Sequence, residues 1–386
     1  MATTTLLSGV QYSGMWTLQQ AHDAIAASTW PVAYNSTSLY GFGSNAQGQL
    51  GLGNVTDYSS PKQIGASSTW STVSSGLDFT IAVKADGTLW SWGSGTSGRL
   101  GLGNTTSYSS PKQVGALTAW SKIVCGDDFS IAIKTNGTLW AWGTNSSGTL
   151  GDGTTTVRSS PVQIGALTTW LNIASGYAAT IATKTDGTMW SWGYNGDGQL
   201  GLGNRTNYSS PKQIGVLTNW SSGSIGGRYF SSALKTDGTL WAWGENSYGQ
   251  LGQGNTTSYS SPKQVGALTT WSKASNGSSA MLAIKTDNSL WAWGRGLSFG
   301  QLGLGNTTSY DSPKQVGSLY NWLSISCGKY QSLSTKTDGT LWAWGRNNAG
   351  QLGLGNLTSY SSPKQVGSST TWLKIAAGYQ QTFGIE

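Results

Sequence analysis

The 386-residue chain holds 56 glycines and 21 tryptophans, and charged residues make up only 10% of it, which excludes a disordered polyampholyte and argues against a helix-rich enzyme. One histidine and two cysteines are too few for a structural zinc site or a disulfide scaffold. The formal charge of +7 leaves an anionic partner open, whereas no run of 18 apolar residues exists and residues 1–9 lack a basic start and apolar core, which argues against membrane insertion and standard secretion.

Residues 1–34 fall outside the pattern that fills the rest of the chain and read as an N-terminal attachment segment. Thr17-Leu18-Gln19-Gln20 has the spacing of a capping box, Leu18, Ala21 and Ile25 share one helical face, and Trp30-Pro31 ends the run, so a short amphipathic helix is expected. Trp16, Leu18, Ile25 and Trp30 are its expected attachment residues. His22 stands beside Asp23, and adjacent helical residues do not face each other, so no catalytic pair is read there.

Residues 35–386 are repetitive. The five-residue motif Leu-Trp-Ser-Trp-Gly at 89–93 recurs from Leu139, Met189, Leu240, Leu290 and Leu341, with a weaker first copy from Leu39; the spacings are 50, 50, 50, 51, 50 and 51 residues. Such a period signals a solenoid, a propeller or an array. Within one unit, residues 120–126, 129–134, 137–143 and 160–165 read as four short strands. Asp86-Gly87, Asp186-Gly187, Asp237-Gly238 and Asp338-Gly339 are dipeptides suited to tight hairpin turns between the second and third. Leu139 and Ala141 point one way and Trp140 and Trp142 the other, so both faces of the sheet are apolar. Seven such sheets satisfy both faces by closing radially into an all-β, seven-bladed propeller of four-stranded blades. Residues 372–386 supply the first two strands of a unit whose third strand is residues 38–43, so both termini are expected to close the ring in one blade.

The period also decides what the conspicuous residues do. Nineteen of the 21 tryptophans obey it, which favours blade cohesion over stacking on sugars or bases. The lysines of Ser-Pro-Lys-Gln and those that end the second strands form rings rather than a patch, which suits solubility and edge protection and argues against sequence-specific nucleic-acid binding. Cys125 and Cys327 sit in repeats far apart around the ring and are read as free, buried thiols. The Gly-Gln-Leu-Gly-Leu-Gly string opens no helix, so it is a turn rather than a phosphate cradle.

Recognition is expected on the long loops between third and fourth strands. Tyr58, Tyr108, Tyr208, Tyr259, Tyr310 and Tyr360 recur at their tips, suited to glycan or protein contact or equally to packing. Positions where the repeats disagree are more telling, because all blades share the needs of the fold while a partner touches only some. These are Tyr194, Glu245, Arg295, Phe299 and Arg346, with Asp127, Asp128, Arg228, Tyr229, Lys329 and Tyr330 on the first-to-second-strand turns.

The string from Trp344 to Thr358, Trp-Gly-x-Asn-x-x-Gly-Gln-Leu-Gly-Leu-Gly-Asn-x-Thr, resembles the repeat of the regulator of chromosome condensation family, which implies a seven-bladed propeller. The family's usual histidine after the first-strand glycine is replaced by Phe79, Phe129, Ala179, Phe230, Ala280, Gln331 and Gln381, so no role resting on it carries over. Residues 12–20 and 26–31 resemble an N-terminal segment of virion proteins of tailed bacteriophages.

No nucleophile, base and acid can be assembled, so the chain reads as non-enzymatic, with no cofactor and no metal. The leading expectation is a structural or adhesive protein of a tailed-phage particle, located in the virion. Its N-terminal segment would bind other virion proteins, and its loops would bind a host surface protein or glycan or decorate the particle. The alternatives are a cytoplasmic propeller regulator or protein-interaction module resembling the family's nucleotide-exchange factors for a small GTPase, and a glycan-binding lectin.

Overall fold

A computed structural model describes residues 37–66, 69–226, 229–296 and 299–386. The expected helix, with Trp16, Leu18, Ile25 and Trp30, lies outside the described residues, and so does Arg228. The described strands form seven four-stranded antiparallel sheets. In blade 3 the strands are Trp120–Cys125, Phe129–Lys134, Leu139–Gly143 and Arg158–Gln163, paired in that order. Blades 2, 4, 5, 6 and 7 (residues 70–113, 170–213, 220–264, 271–315 and 322–365) repeat this arrangement.

Blade 1 is composite. Lys374–Ala377 and Gln381–Ile385 supply its first two strands, and Leu39–Gly43 and Tyr58–Gln63 the other two. Leu39 pairs with Ile385 and Gly43 with Gln381. Beyond the ladder, Ser38 N donates to Glu386 O at 2.9 Å and Glu386 N to Ser38 O at 3.0 Å. Both ends of the propeller therefore close the ring within one sheet, as the repeat phase implies.

The hairpin turns carry their own side-chain lock. In blade 2, Asp86 Oδ1 accepts from Thr88 N at 2.9 Å and from Thr88 Oγ1 at 2.6 Å, while Trp90 Nε1 donates to Thr88 Oγ1 at 2.9 Å. Gly87 takes φ +78°, a left-handed conformation that glycine adopts without strain. The fourth strand of blade 3 starts two residues before the expected Ser160. Arg158 pairs with Gly143, and the ladder resumes, after an irregularity, at Val162 opposite Ala141.

The core is divided among seven junctions rather than gathered at one centre. Between blades 2 and 3, Phe79, Ile81, Leu89 and Leu100 meet Trp120, Ile123 and Trp142; between blades 3 and 4, Phe129, Leu139 and Ala141 meet Trp170 and Trp192. Alternation along the third strand thus feeds two junctions at once. Trp120 meets Trp140 and Trp142 edge to face, at ring-centre distances of 5.8 and 6.1 Å. A fully buried indole contributes roughly 4–6 kcal/mol of transfer free energy. Trp142 Nε1 also donates to Arg99 O of blade 2 at 2.9 Å. That bond needs Gly101, where a Cβ would lie 2.7 Å from Trp142 Nε1.

The lysines that end the second strands are folded into this packing. Their Nζ atoms lie 3.6–4.4 Å from the centres of the third-strand tryptophans and 4.7–5.1 Å from those of the first-strand ones. Much of the positive charge is thereby spent on cation–π contacts within the blades.

Candidate functional site

In an antiparallel four-stranded blade the first-to-second and third-to-fourth connections emerge at one end and the remaining connections at the other. One propeller face therefore carries residues such as Asp127, Asp128, Glu245 and Arg295, and the opposite face carries the hairpin turns and the links between blades. The links are nearly uniform, with Leu117, Leu167, Leu217, Leu268 and Leu319 each about half exposed at equivalent positions. The first face is where the blades differ.

At its centre lies a basin of about 570 Å³ lined by all seven blades. On blades 6, 7 and 1 its rim is a chain of cations on aromatic rings. The Arg295 guanidinium lies 4.1 Å from the centre of the Tyr248 ring. Arg346 lies 5.1 Å from Phe299 and 5.5 Å from Tyr330, and Lys329 lies 5.0 Å from Tyr330 and 3.7 Å from Tyr379. Among the described residues none of these three cations forms a salt bridge. Arg346 Nε is buried without a hydrogen-bond partner.

Blades 2 to 5 present carboxylates. Burial pushes Asp78 above the ordinary carboxylate range against the pull of Arg99, and Asp128 adds to the rise. Burial likewise raises Asp197, opposed by Arg205. It also raises Glu245, where the Ser247 hydroxyl and Arg295 pull down and Asp197 pushes up. Tyr194 is raised first by burial and then by Asp197. Arg99 pairs with one of these carboxylates: its Nη1 sits 2.8 Å from Asp128 Oδ1, and the guanidinium lies 5.7 Å from the Phe79 ring. The basin is therefore split by charge.

Tyr194, Glu245, Arg295, Phe299 and Arg346 are thus gathered on one face, with Asp127, Asp128, Tyr229, Lys329 and Tyr330 beside them. Tyr248, Tyr379 and Arg99 escaped the sequence reading. Tyr248 occupies the same repeat column as Asp197 and Phe299, so the comparison that picked Phe299 would also have picked it.

The recurring tyrosines are placed differently from the variable positions. Tyr58, Tyr108, Tyr208, Tyr259, Tyr310 and Tyr360 are the first residues of fourth strands and are half-buried. The lysine four residues on lies 5.4–5.7 Å from each ring centre. In four blades the hydroxyl accepts from an asparagine of the same loop, as Tyr58 does from Asn54 at 3.1 Å.

The columns that hold the family histidine are inward-facing joints between blades. Gln331 Nε2 donates to Gly378 O at 3.0 Å, and Gln381 Nε2 to Ser75 Oγ at 2.7 Å and Gly76 O at 3.0 Å. Cys125 and Cys327 are free. Their thiols donate to Ser74 O and Ser275 O of the preceding blades, and burial pushes both up to about 12, so neither is a ready nucleophile. Among the described residues no cluster of His, Cys, Asp and Glu could hold a metal ion.

Residues 122–384 match the RCC1-like domain, and residues 38–83 and 86–133 match the regulator of chromosome condensation (RCC1) repeat. The chain is similar to protein RCC2 of Mus musculus, with 34% identity over 121 residues that cover 30% of this chain and 23% of RCC2. It is also similar to the E3 ubiquitin-protein ligase HERC2 of Homo sapiens, with 29% identity over 128 residues, 32% of this chain and 3% of HERC2. In fold it is similar to human WBSCR16, with a TM-score of 0.82 and 20% identity over 90% of this chain and 98% of that one. Prp20p of Saccharomyces cerevisiae gives a TM-score of 0.81 and 18% identity over 92% of each chain.

These findings overturn the expectation of a tailed-phage adhesive or decoration protein and its virion location, and they lend no support to virion or host-surface partners. The similarity runs through the propeller to eukaryotic proteins, whereas the virion reading rested on residues outside the described part of the chain. The regulator or interaction-module alternative is the one that they support.

Proposed function

The chain belongs to the RCC1-like propeller family, and from that premise we propose that it is a non-enzymatic, intracellular regulator or protein-interaction module that holds a partner protein on its charge-split face. The observation that carries this reading is the gathering of Tyr194, Glu245, Arg295, Phe299 and Arg346 on one propeller face, with Glu245 and Arg295 lining its basin, while the opposite face stays nearly uniform from blade to blade. Fold requirements are common to all blades; a partner is not. The yeast protein Prp20p, which shares the fold, is described by its binding to Gsp1p and histones. Residues 35–386 carry the binding surface in this reading, and the repeated tyrosines brace their own loops.

A photo-crosslinking side chain placed at Tyr194 or Tyr330 should capture one discrete protein in extract of the source cells. The same group at Leu167, on the opposite face, should capture none. Replacing Arg295, Phe299 and Arg346 together by Gln, Leu and Gln should abolish the adduct with the melting curve unchanged. Adducts formed only from Leu167 would refute the assignment of the face.

A further inference from the structure

We propose that the basin receives a charge-split peptide segment of its partner, with acidic side chains on blades 6 and 7 and basic side chains on blades 3 to 5. This rests on the reading of that face as the binding face. Arg295, Lys329 and Arg346 all lie on aromatic shelves and lack a salt bridge among the described residues. A guanidinium stacked on a ring keeps its in-plane N–H fork available, and that fork matches a carboxylate. The buried, unpartnered Arg346 Nε is an unmet donor of this kind.

The opposite sector demands the reverse sign. Asp128 and Glu245 line the same basin, with Arg99 already engaged by Asp128 and the Asp197 carboxylate near enough to Glu245 to raise it. A uniformly anionic ligand such as a nucleic acid would satisfy the cations but meet this carboxylate wall, and a uniformly basic segment would meet the three cations. A segment with both signs, in separate blocks, satisfies both sectors. The volume of about 570 Å³ suits a few side chains rather than a duplex or a whole domain. Tyr177, Tyr229, Tyr248, Tyr330 and Tyr379 line it and supply ring surface for the intervening residues.

The test is fluorescence anisotropy on the full chain with labelled peptides of equal length. The first is a block of glutamates joined through Gly-Gly to a block of lysines; the others are its scrambled isomer, an all-glutamate peptide and an all-lysine peptide. Oligothymidylate is the nucleic-acid probe. The block peptide should bind at least about tenfold more tightly than its isomer, and the preference should weaken with salt. Arg295→Gln with Arg346→Gln should erase the preference, and Lys329→Gln, a milder change, should reduce it, both with unchanged melting curves. Equal affinity for the two isomers, tighter binding of a single-sign peptide or of oligothymidylate, or no binding of any probe would overturn the proposal. If crosslinks still arise from Tyr194 and Tyr330 in that event, the binding face stands and only the ligand chemistry falls. Crosslinks from Leu167 alone would remove both.

Discussion

The junction between blades 2 and 3 offers a sharp test of how the ring coheres. Arg99 O receives two donors from the next blade, Trp142 Nε1 at 2.9 Å and Ser130 Oγ at 3.1 Å, and both donors are fully buried. Trp142→Phe keeps a ring but removes one donor, about 1 kcal/mol for the bond and about 1 more for the smaller ring. Trp142→Ala removes the ring as well and should cost about 3–5 kcal/mol. Ser130→Ala alone should cost about 1 kcal/mol, because the indole still serves the carbonyl. Combining Trp142→Phe with Ser130→Ala leaves the buried carbonyl without a donor, so the double variant should exceed the sum of the singles by about 1 kcal/mol. Guanidinium unfolding followed by far-ultraviolet circular dichroism gives all four values. Strict additivity, or a Phe variant as damaged as the Ala variant, would refute the shared-acceptor account.

Deleting Tyr379–Glu386 removes the strand that pairs with Leu39–Gly43, along with buried Phe383 and Ile385; the truncated chain should aggregate or melt far earlier, and an unchanged midpoint would exclude the shared blade. Asp86, Asp186, Asp237, Asp287 and Asp338 are held below the usual carboxylate range, chiefly by the hydroxyl two residues on. Their contribution is present at neutral pH and lost as pH falls below about 4 through the lowered values. Asp86→Asn, which copies Asn136 of blade 3, should therefore flatten the acid limb of the melting temperature against pH; parallel curves would count against the turn lock. Glu245 carries the opposite sign, since burial raises it, so it favours the fold below that range and opposes it as pH rises through it. Glu245→Gln should raise the melting midpoint near pH 7, and a fall would contradict the burial argument.

Much of the architecture is legible because each demand of the fold is stated seven times. Alternation of Leu139, Trp140, Ala141 and Trp142 fixes two apolar faces, and the phase of the repeat at residues 38–43 and 372–386 announces the composite blade. The start of the fourth strand at Arg158 was harder to see, because the pairing of Arg158 with Gly143 skips over the intervening ladder. The site was half legible. Disagreement among repeats located Arg295, Phe299 and Arg346, but the shelf beneath Arg295 is Tyr248 of the neighbouring blade, and the ring beside Lys329 is Tyr379 of blade 1. Contacts made across a blade junction leave no local spacing to read. The functional class was misread because a short N-terminal resemblance outweighed the propeller, where the matches to known proteins run.

The composite blade also orders events in time. Six blades are contiguous in sequence and can form locally, each from hairpins that close over short loops. Blade 1 has to join Leu39–Gly43 to Gln381–Ile385 across almost the whole chain, the pairing with the greatest sequence separation and hence the greatest loop-closure cost. During synthesis the strands of residues 39–63 wait for their partners through the making of six blades, with one edge of the sheet unpaired, a template for other chains. A circular permutant cut between blades 2 and 3 and joined at the old ends would make blade 1 contiguous and remove that wait, so it should refold faster and with less aggregation than the natural order.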